Sequence, residues 1–209
     1  FLGANRRIDG VDQGSIGLDT TMFFTDTLGL TAQLLRVHGS AADGGLAWFV
    51  RPAFDSSTTH FHVRFTNLDQ HILDDFNAVG FLRDDDRREF DTNLTHTFWI
   101  ESGAWEKGKG GLNYNRYNSP EGVLRSWELD AEVEAVFRNG WEVEIDYLEE
   151  YQLFEKGFRN DRFELKTGWD GRDGRSVYVS AGTGVNFDSD LRLYGAEVEW
   201  AFGDRFRLE

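Results

Sequence analysis

Apolar and polar residues alternate along most of this chain with a period of two, from about residue 14 to the end, and no stretch carries convincing helical periodicity. The clearest stretch is 127–147, WELDAEVEAVFRNGWEVEIDY. Trp127, Leu129, Ala131, Val133, Ala135 and Phe137 share one parity, and Glu128, Asp130, Glu132 and Glu134 share the other. After a break, Trp141, Val143, Ile145 and Tyr147 alternate with Glu142, Glu144 and Asp146. Side chains on a strand point alternately to its two faces, so this is a hairpin with one apolar face and one acidic face. The same pattern in SIGLDTTMFFTD, LGLTAQLLRVH, GLAWFVRPAF, THFHVRFTN, FDTNLTHTFWIES, GGLNYNRY, RFELKTGW, SVYVSAGTGVNF and LRLYGAEVEWAF brings the expected total to about eleven strands. Pro52 falls inside one of them, a position normally reserved for edges and bulges.

Parity also selects the turn. Directly opposed residues of an antiparallel pair lie on the same face. A two-residue turn at Asn139-Gly140 would set Glu144 against Ala135 and mix the faces. A three-residue loop, Arg138-Asn139-Gly140 with Gly140 left-handed, keeps them apart. That register sets Glu134 opposite Glu144 and Glu132 opposite Asp146. Like charges so placed are destabilising unless water, counter-ions or basic side chains attend them. Elsewhere, connections at 25–28, 55–58, 101–104, 138–140 and 170–175 read as short. Those at 69–89, 115–123 and 148–161 read as long, 38–44 as intermediate, and 187–190 as short where a long one is due.

The apolar face poses the opposite problem, because Trp127, Leu129, Val133, Phe137, Trp141, Val143, Ile145 and Tyr147 would form a patch far larger than a soluble monomer usually exposes. Lipid or a second sheet must cover it. Both faces are satisfied if the sheet curls with the greasy side in a bilayer and the acids around water. Alternating loop lengths and aromatics near strand ends agree with that arrangement. The expected fold is therefore all-β, an antiparallel up-and-down transmembrane β-barrel. It forms a single domain over 1–209, with an inserted loop or plug at 69–89. The alternative is a soluble β-sandwich that binds saccharide on a solvated face.

Composition narrows the choices. With 22 basic and 37 acidic residues the net charge is −15, which argues against nucleic-acid or anionic-lipid binding through net charge. There is no cysteine, hence no disulfide and no thiolate site. No apolar run reaches the roughly 18 residues of a membrane helix. A membrane strand, by contrast, shows only as an alternating segment of roughly ten residues. The chain opens on Phe1, and both its ends are expected to be cuts, leaving a fragment of a larger even-stranded barrel.

One segment, 74–90, DDFNAVGFLRDDDRREF, is not strand-like. Its residues Asp75, Phe76, Asn77, Val79, Gly80, Phe81, Leu82 and Arg83, with the preceding Gly-Leu-Ala-Trp strand and LTAQLL, resemble the C-terminal barrel of a bacterial outer-membrane family of unknown function. The resemblance covers most of the chain. In that family a domain like the family 9 carbohydrate-binding modules usually precedes the barrel, and a second basic residue often follows the first arginine, where this chain has Asp84. The resemblance implies an outer-membrane location, a lipid-bilayer partner, saccharide contact through an upstream domain, and no particular reaction. Physically, Gly80 permits a tight turn and Phe76 and Phe81 could anchor a folded-back loop. Arg83, Arg87 and Arg88 could then pair with Glu132, Glu134, Glu144 and Asp146. A solvated external loop is the alternative.

Other chemistry is thinner. His60 and His62 share a face, with His71, Asp74 and Asp75 beyond, a set that could hold zinc. A neighbouring Arg64 disfavours a cation, so lumen-facing polar histidines are expected and no metal or cofactor. Five histidines without distinctive spacing offer little support for a barrel-embedded hydrolase. EKGKGG at 106–111 lacks the context of a phosphate loop and reads as a flexible turn, as does WDGRDG at 169–174. The expected function is an outer-membrane barrel that anchors, or passes material for, an attached carbohydrate-binding domain, with an acidic lumen.

Overall fold

The computed structural model describes residues 2–8, 10–39, 45–76, 85–202 and 206–208. In chain order the strands are β1 (Leu2–Ile8), β2 (Val11–Phe23), β3 (Leu28–His38), β4 (Leu46–Asp55) and β5 (Thr59–Leu68). A short helix, α1 (Ile72–Phe76), follows, then β6 (Arg87–Trp99), β7 (Trp105–Asn118), β8 (Leu124–Phe137) and β9 (Trp141–Leu153). The chain continues with β10 (Gly157–Asp170), β11 (Arg175–Asn186), β12 (Ser189–Phe202) and β13 (Phe206–Leu208). All thirteen strands form one sheet in strict sequence order, β1 through β13. The fold is all-β, antiparallel and up-and-down. The two strands beyond the expected eleven are β1, whose LGANRRI carries no apolar alternation, and the three-residue β13.

The chain groups into two compact units, Phe1–Asn93 with Asn115–Trp127, and Leu94–Tyr114 with Glu128–Glu209. In the first, the ladders β1–β2, β2–β3, β3–β4 and β4–β5 each keep one register throughout. Opposed residues such as Leu18 and Leu34, Leu34 and Trp48, and Val50 and Phe65 build one apolar face. The other face carries Asp19 opposite Gln33, Phe49 opposite Thr66, and Ala53 opposite His62. Pro52 is neither at an edge nor at a bulge. It pairs with Leu30 of β3, while towards β5 the ladder omits Arg51 and Pro52 and resumes at Ala53 opposite His62 in the same register. Proline has no N–H to offer, so rungs are lost without a slip.

The segment after β5 folds back onto the sheet. Ile72 is fully buried with Val37 and Ala47, and Leu35, Leu68 and Phe76 pack against this cluster. Ile72 and Phe76, one helical turn apart, meet the same neighbour. Leu35 opposes Ala47, which opposes Leu68, so α1 docks on the face that bears Asp19, His62 and Thr66 rather than on the greasy one. Asp69 holds the entry to α1, accepting from the Leu46 amide at 3.0 Å and the Asn67 side chain at 2.9 Å.

In the second unit β9–β10, β10–β11 and β11–β12 are likewise unslipped. The loop after β8 is Arg138-Asn139-Gly140: Gly140 has φ +87° and its N–H donates to the Phe137 carbonyl at 3.0 Å. A Cβ on Gly140 would sit 2.3 Å from the Asp170 carbonyl oxygen, so the position admits only glycine on both counts. The expected long connection at 148–161 does not exist: β9 runs on to Leu153, and 154–156 is a short turn. The strands extend because their polar residues find partners across the ladder. Arg159 Nε donates to Glu149 at 2.6 Å and Asn160 to Glu150 at 2.7 Å, while Phe154, Phe158 and Phe187 cluster at the turn. In the first unit the 115–123 connection likewise shrinks to 119–123. The 187–188 turn is tight, with Phe187 and Asp188 both at positive φ, as a type I′ hairpin requires.

Hydrophobic burial inside the protein is scant. Among the described residues only Val37, Ala47, Ile72 and Val136 are buried apolar side chains, whereas Val133 is 60% exposed and Ile145 39%. Replacing Ile72 with Ala should therefore remove much of the local core and lower unfolding stability by about 2–5 kcal/mol. A urea titration that finds no loss would mean that α1 is not docked as described.

Candidate functional site

The second unit places the acids of β8 and those of β9 from Glu142 to Asp146 on one face. Glu142 opposes Gly168, Glu144 opposes Lys166, and Asp146 opposes Glu164 in the β9–β10 ladder. Glu128, Asp130, Glu132 and Glu134 alternate along β8, with Val136 buried at the end of the same parity. The partners come from a stretch expected to be a turn. EKGKGG lies inside β7, and its two lysines meet the acids of β8: Lys107 Nζ is 3.0 Å from Glu134 and Lys109 Nζ 2.8 Å from Glu132. Alternation explains why this run is a strand. The lysines fall on one parity where carboxylates await them, and Gly108 and Gly110 on the other, where a Cβ would meet little or nothing.

Further along, Lys166 reaches Glu197 at 3.1 Å and lies 5.0 Å from the Tyr178 ring, whose hydroxyl donates to Glu142 at 2.8 Å. Cations are thus interleaved among the carboxylates. Among the described residues the basic partners of Glu132 and Glu134 are strand lysines; of the loop arginines expected near these acids, Arg83 lies outside the described residues. Arg87 pairs with Glu89 of its own strand at 2.9 Å and lies over Tyr117, and Arg88 donates to Asn67 at 3.3 Å. Lys107 and Lys109 escaped sequence reasoning because glycines around them mask the strand. Their spacing of two opposite an acidic strand was the available signal.

On the opposite parity of β8 and β9, Val133, Trp141, Ile145 and Tyr147 are exposed, and Trp127, Leu129, Phe137 and Val143 are half-buried. No second sheet overlies them among the described residues.

In the first unit the histidines form a line. Asp55 contacts His60 Nδ1, His60 Nε2 stands 2.9 Å from His62 Nδ1, and His62 Nε2 stands 3.1 Å from Asp91. Arg51, rather than the expected Arg64, lies beside them, 3.3 Å from His62 Nδ1, while Arg64 covers the Phe49 ring. Arg51 can only donate, so His62 accepts at Nδ1 and donates from Nε2 to Asp91. The nitrogens are thereby committed to hydrogen bonds, and among the described residues no group of three or more His, Asp or Glu side chains is arranged to hold a metal ion.

Of the loop motif, Phe76 is half-buried in the α1 contact and Asp75 lies in α1. The Asp75 side chain and Asn77, Val79, Gly80, Phe81, Leu82 and Arg83 fall outside the described residues. Two connection carboxyls are held below the usual range: Glu121 by its own backbone amide, then the Ser119 hydroxyl and the Gln70 side chain, and Asp173 chiefly by Arg175. Of the WDGRDG run, Trp169 and Asp170 end β10 and only 171–174 form the turn, with Arg172 reaching Glu106 at 2.5 Å.

The class so defined is an antiparallel up-and-down sheet protein with a bare apolar face and a charge-laced polar one. A solved structure described as a KdgM porin is similar, with a TM-score of 0.35 and 15% identity, covering 92% of this chain and 92% of that one. No protein-family model matches the chain, and no curated protein matches it.

A double-mutant cycle tests the charge pairing. Lys109→Met and Glu132→Gln, singly and together, should give a coupling energy on the order of 1 kcal/mol, since the two groups touch. Additive effects in urea unfolding would remove the pair from the account.

Proposed function

We propose that this sheet is part of a bacterial outer-membrane β-barrel. Its apolar face lies in the bilayer and its acidic face lines a water-filled interior. The observation that carries the reading is the segregation of the two faces: Val133, Trp141, Ile145 and Tyr147 are exposed on one side, and Glu132 and Glu134 meet lysines on the other. Water alone does not sustain so large an apolar surface on a monomer, and hydrocarbon does. The up-and-down order of strands is the connectivity that membrane barrels use. A soluble sandwich would need a second apolar layer over the exposed face.

The interior so lined admits ions and small polar solutes, and its excess of carboxylates favours cations. α1 on the polar face would narrow the interior beside the first five strands and act as a partial plug. The barrel serves as anchor or conduit for an attached carbohydrate-binding domain encoded upstream, a role carried by the family resemblance of DFNAVGFLR and its flanking strands. Sequencing the reading frame upstream of residue 1 tests that part directly.

Two measurements test the rest. In planar bilayers, reversal potentials under a salt gradient should report cation preference, and Glu134→Gln with Glu144→Gln should weaken it severalfold. An anion preference, or no conductance from the full-length protein, would defeat the channel. Placing Arg at Val133 should cost about 2–4 kcal/mol in lipid-vesicle unfolding if this position sits near the bilayer midplane. A neutral effect would defeat the outward orientation.

A further inference from the structure

Charged residues interrupt the apolar face of the first unit at several points, Arg36 among them, and at one of these points arginines border a cleft. The cleft, of about 480 Å³, is floored by Trp48 of β4, Phe65 of β5 and Phe90 of β6, with Arg88 of β6 and Arg116 of β7 on its rim. Phe65 and Phe90 are in ring contact at 5.1 Å, and Trp48 and Phe65 are both exposed. The arginines lie near strand ends: Arg88 is the second residue of β6, after the 69–86 connection, and Arg116 is two residues from the end of β7, before 119–123. The rings lie alongside, on an apolar face that continues through Val50 and Phe61.

The guanidiniums are held in a particular way. Arg88 donates through Nε to Asn67 at 3.3 Å, and Arg116 donates through Nε to Asn118 at 3.0 Å. Asn67 is itself oriented by Asp69, whose carboxylate takes the Asn67 amide and the Leu46 N–H. Both arginines line the cleft, and their bonds to Asn67 and Asn118 engage Nε alone. Among the described residues no carboxylate pairs with either of them. The one acid in the lining, Glu89, is occupied by Arg87 at 2.9 Å and Asn115 at 2.6 Å.

From this geometry we infer that the cleft binds a membrane lipid bearing a phosphate headgroup, with the phosphate between Arg88 and Arg116 and an acyl chain over Trp48, Phe65 and Phe90. Two oriented guanidiniums form charge-assisted bonds to phosphate oxygens. Aromatic rings beside them supply an apolar bed at the depth where a headgroup gives way to hydrocarbon. A net charge of −15 disfavours anionic lipids in general, so the binding is local to this patch. The inference rests on the membrane reading above.

Native mass spectrometry of the full chain, released from detergent micelles doped with either phosphatidic acid or diacylglycerol of identical chains, tests it. Wild type should retain the phosphate lipid about tenfold better, and the exposed-site variant Arg88→Gln/Arg116→Gln should lose that preference. Arg88→Lys should keep part of it, because charge survives while the fork is lost. Equimolar inorganic phosphate should not displace the lipid, because the acyl chain contributes. Equal retention of both lipids by wild type, an undiminished preference in the double variant, or displacement by free phosphate would each overturn the site while leaving the barrel standing. Retention of neither lipid, with the chain soluble without detergent, would overturn the membrane reading itself.

Discussion

An unslipped ladder is the constraint on which everything else in this molecule depends. Side chains alternate along a strand, so a shift of one residue in any pair would send every carboxylate of that strand to the greasy side and every aromatic to the wet one. The described ladders hold one register from end to end. That regularity is bought locally, at turns such as the one closed by Gly140, whose positive φ lets a three-residue loop return the chain with faces matched. The two-residue reversal at Phe187 and Asp188 does the same without a glycine, supported by the rings of Phe154 and Phe158.

Given fixed faces, the electrostatics follow. A strand carrying four acids at alternate positions cannot pack against another such strand in a dry interior. Lys107, Lys109 and Lys166 lower the local charge density, and Tyr178 donates a further hydrogen bond to Glu142. These groups are partly solvated, so each ion pair contributes modestly, and their effect is to make the arrangement tolerable rather than to drive folding. On the membrane reading proposed above, the driving term for a fold with so few buried apolar side chains comes from the other face, through backbone hydrogen bonds satisfied in place and apolar residues covered by lipid.

Much of this was legible from residues alone, and the failures have physical causes. The 127–147 hairpin and its left-handed Gly140 could be read because the alternation is nearly uninterrupted and only one loop length preserves it. β1 was missed because Asn5, Arg6 and Arg7 carry no apolar partners, and the ladder rather than composition makes it a strand. The 148–161 region read as a loop because LEEYQLFEKGFRND mixes charges on both parities. Across the strands those charges find partners, Glu149 an ion pair with Arg159 and Glu150 a hydrogen bond from the Asn160 amide. Glycines disguised β7. The histidine line was half-seen: the shared face of His60 and His62 was evident, but Asp91 arrives from a strand 29 residues away, beyond the reach of local spacing.

Pro52 has a mechanical meaning as well. Towards β5 the rungs at Arg51 and Pro52 are missing while the pairing on either side is kept. The β4–β5 pair is therefore held by fewer rungs at this one place, between the aspartate–histidine line at one end of these strands and the arginine cleft at the other.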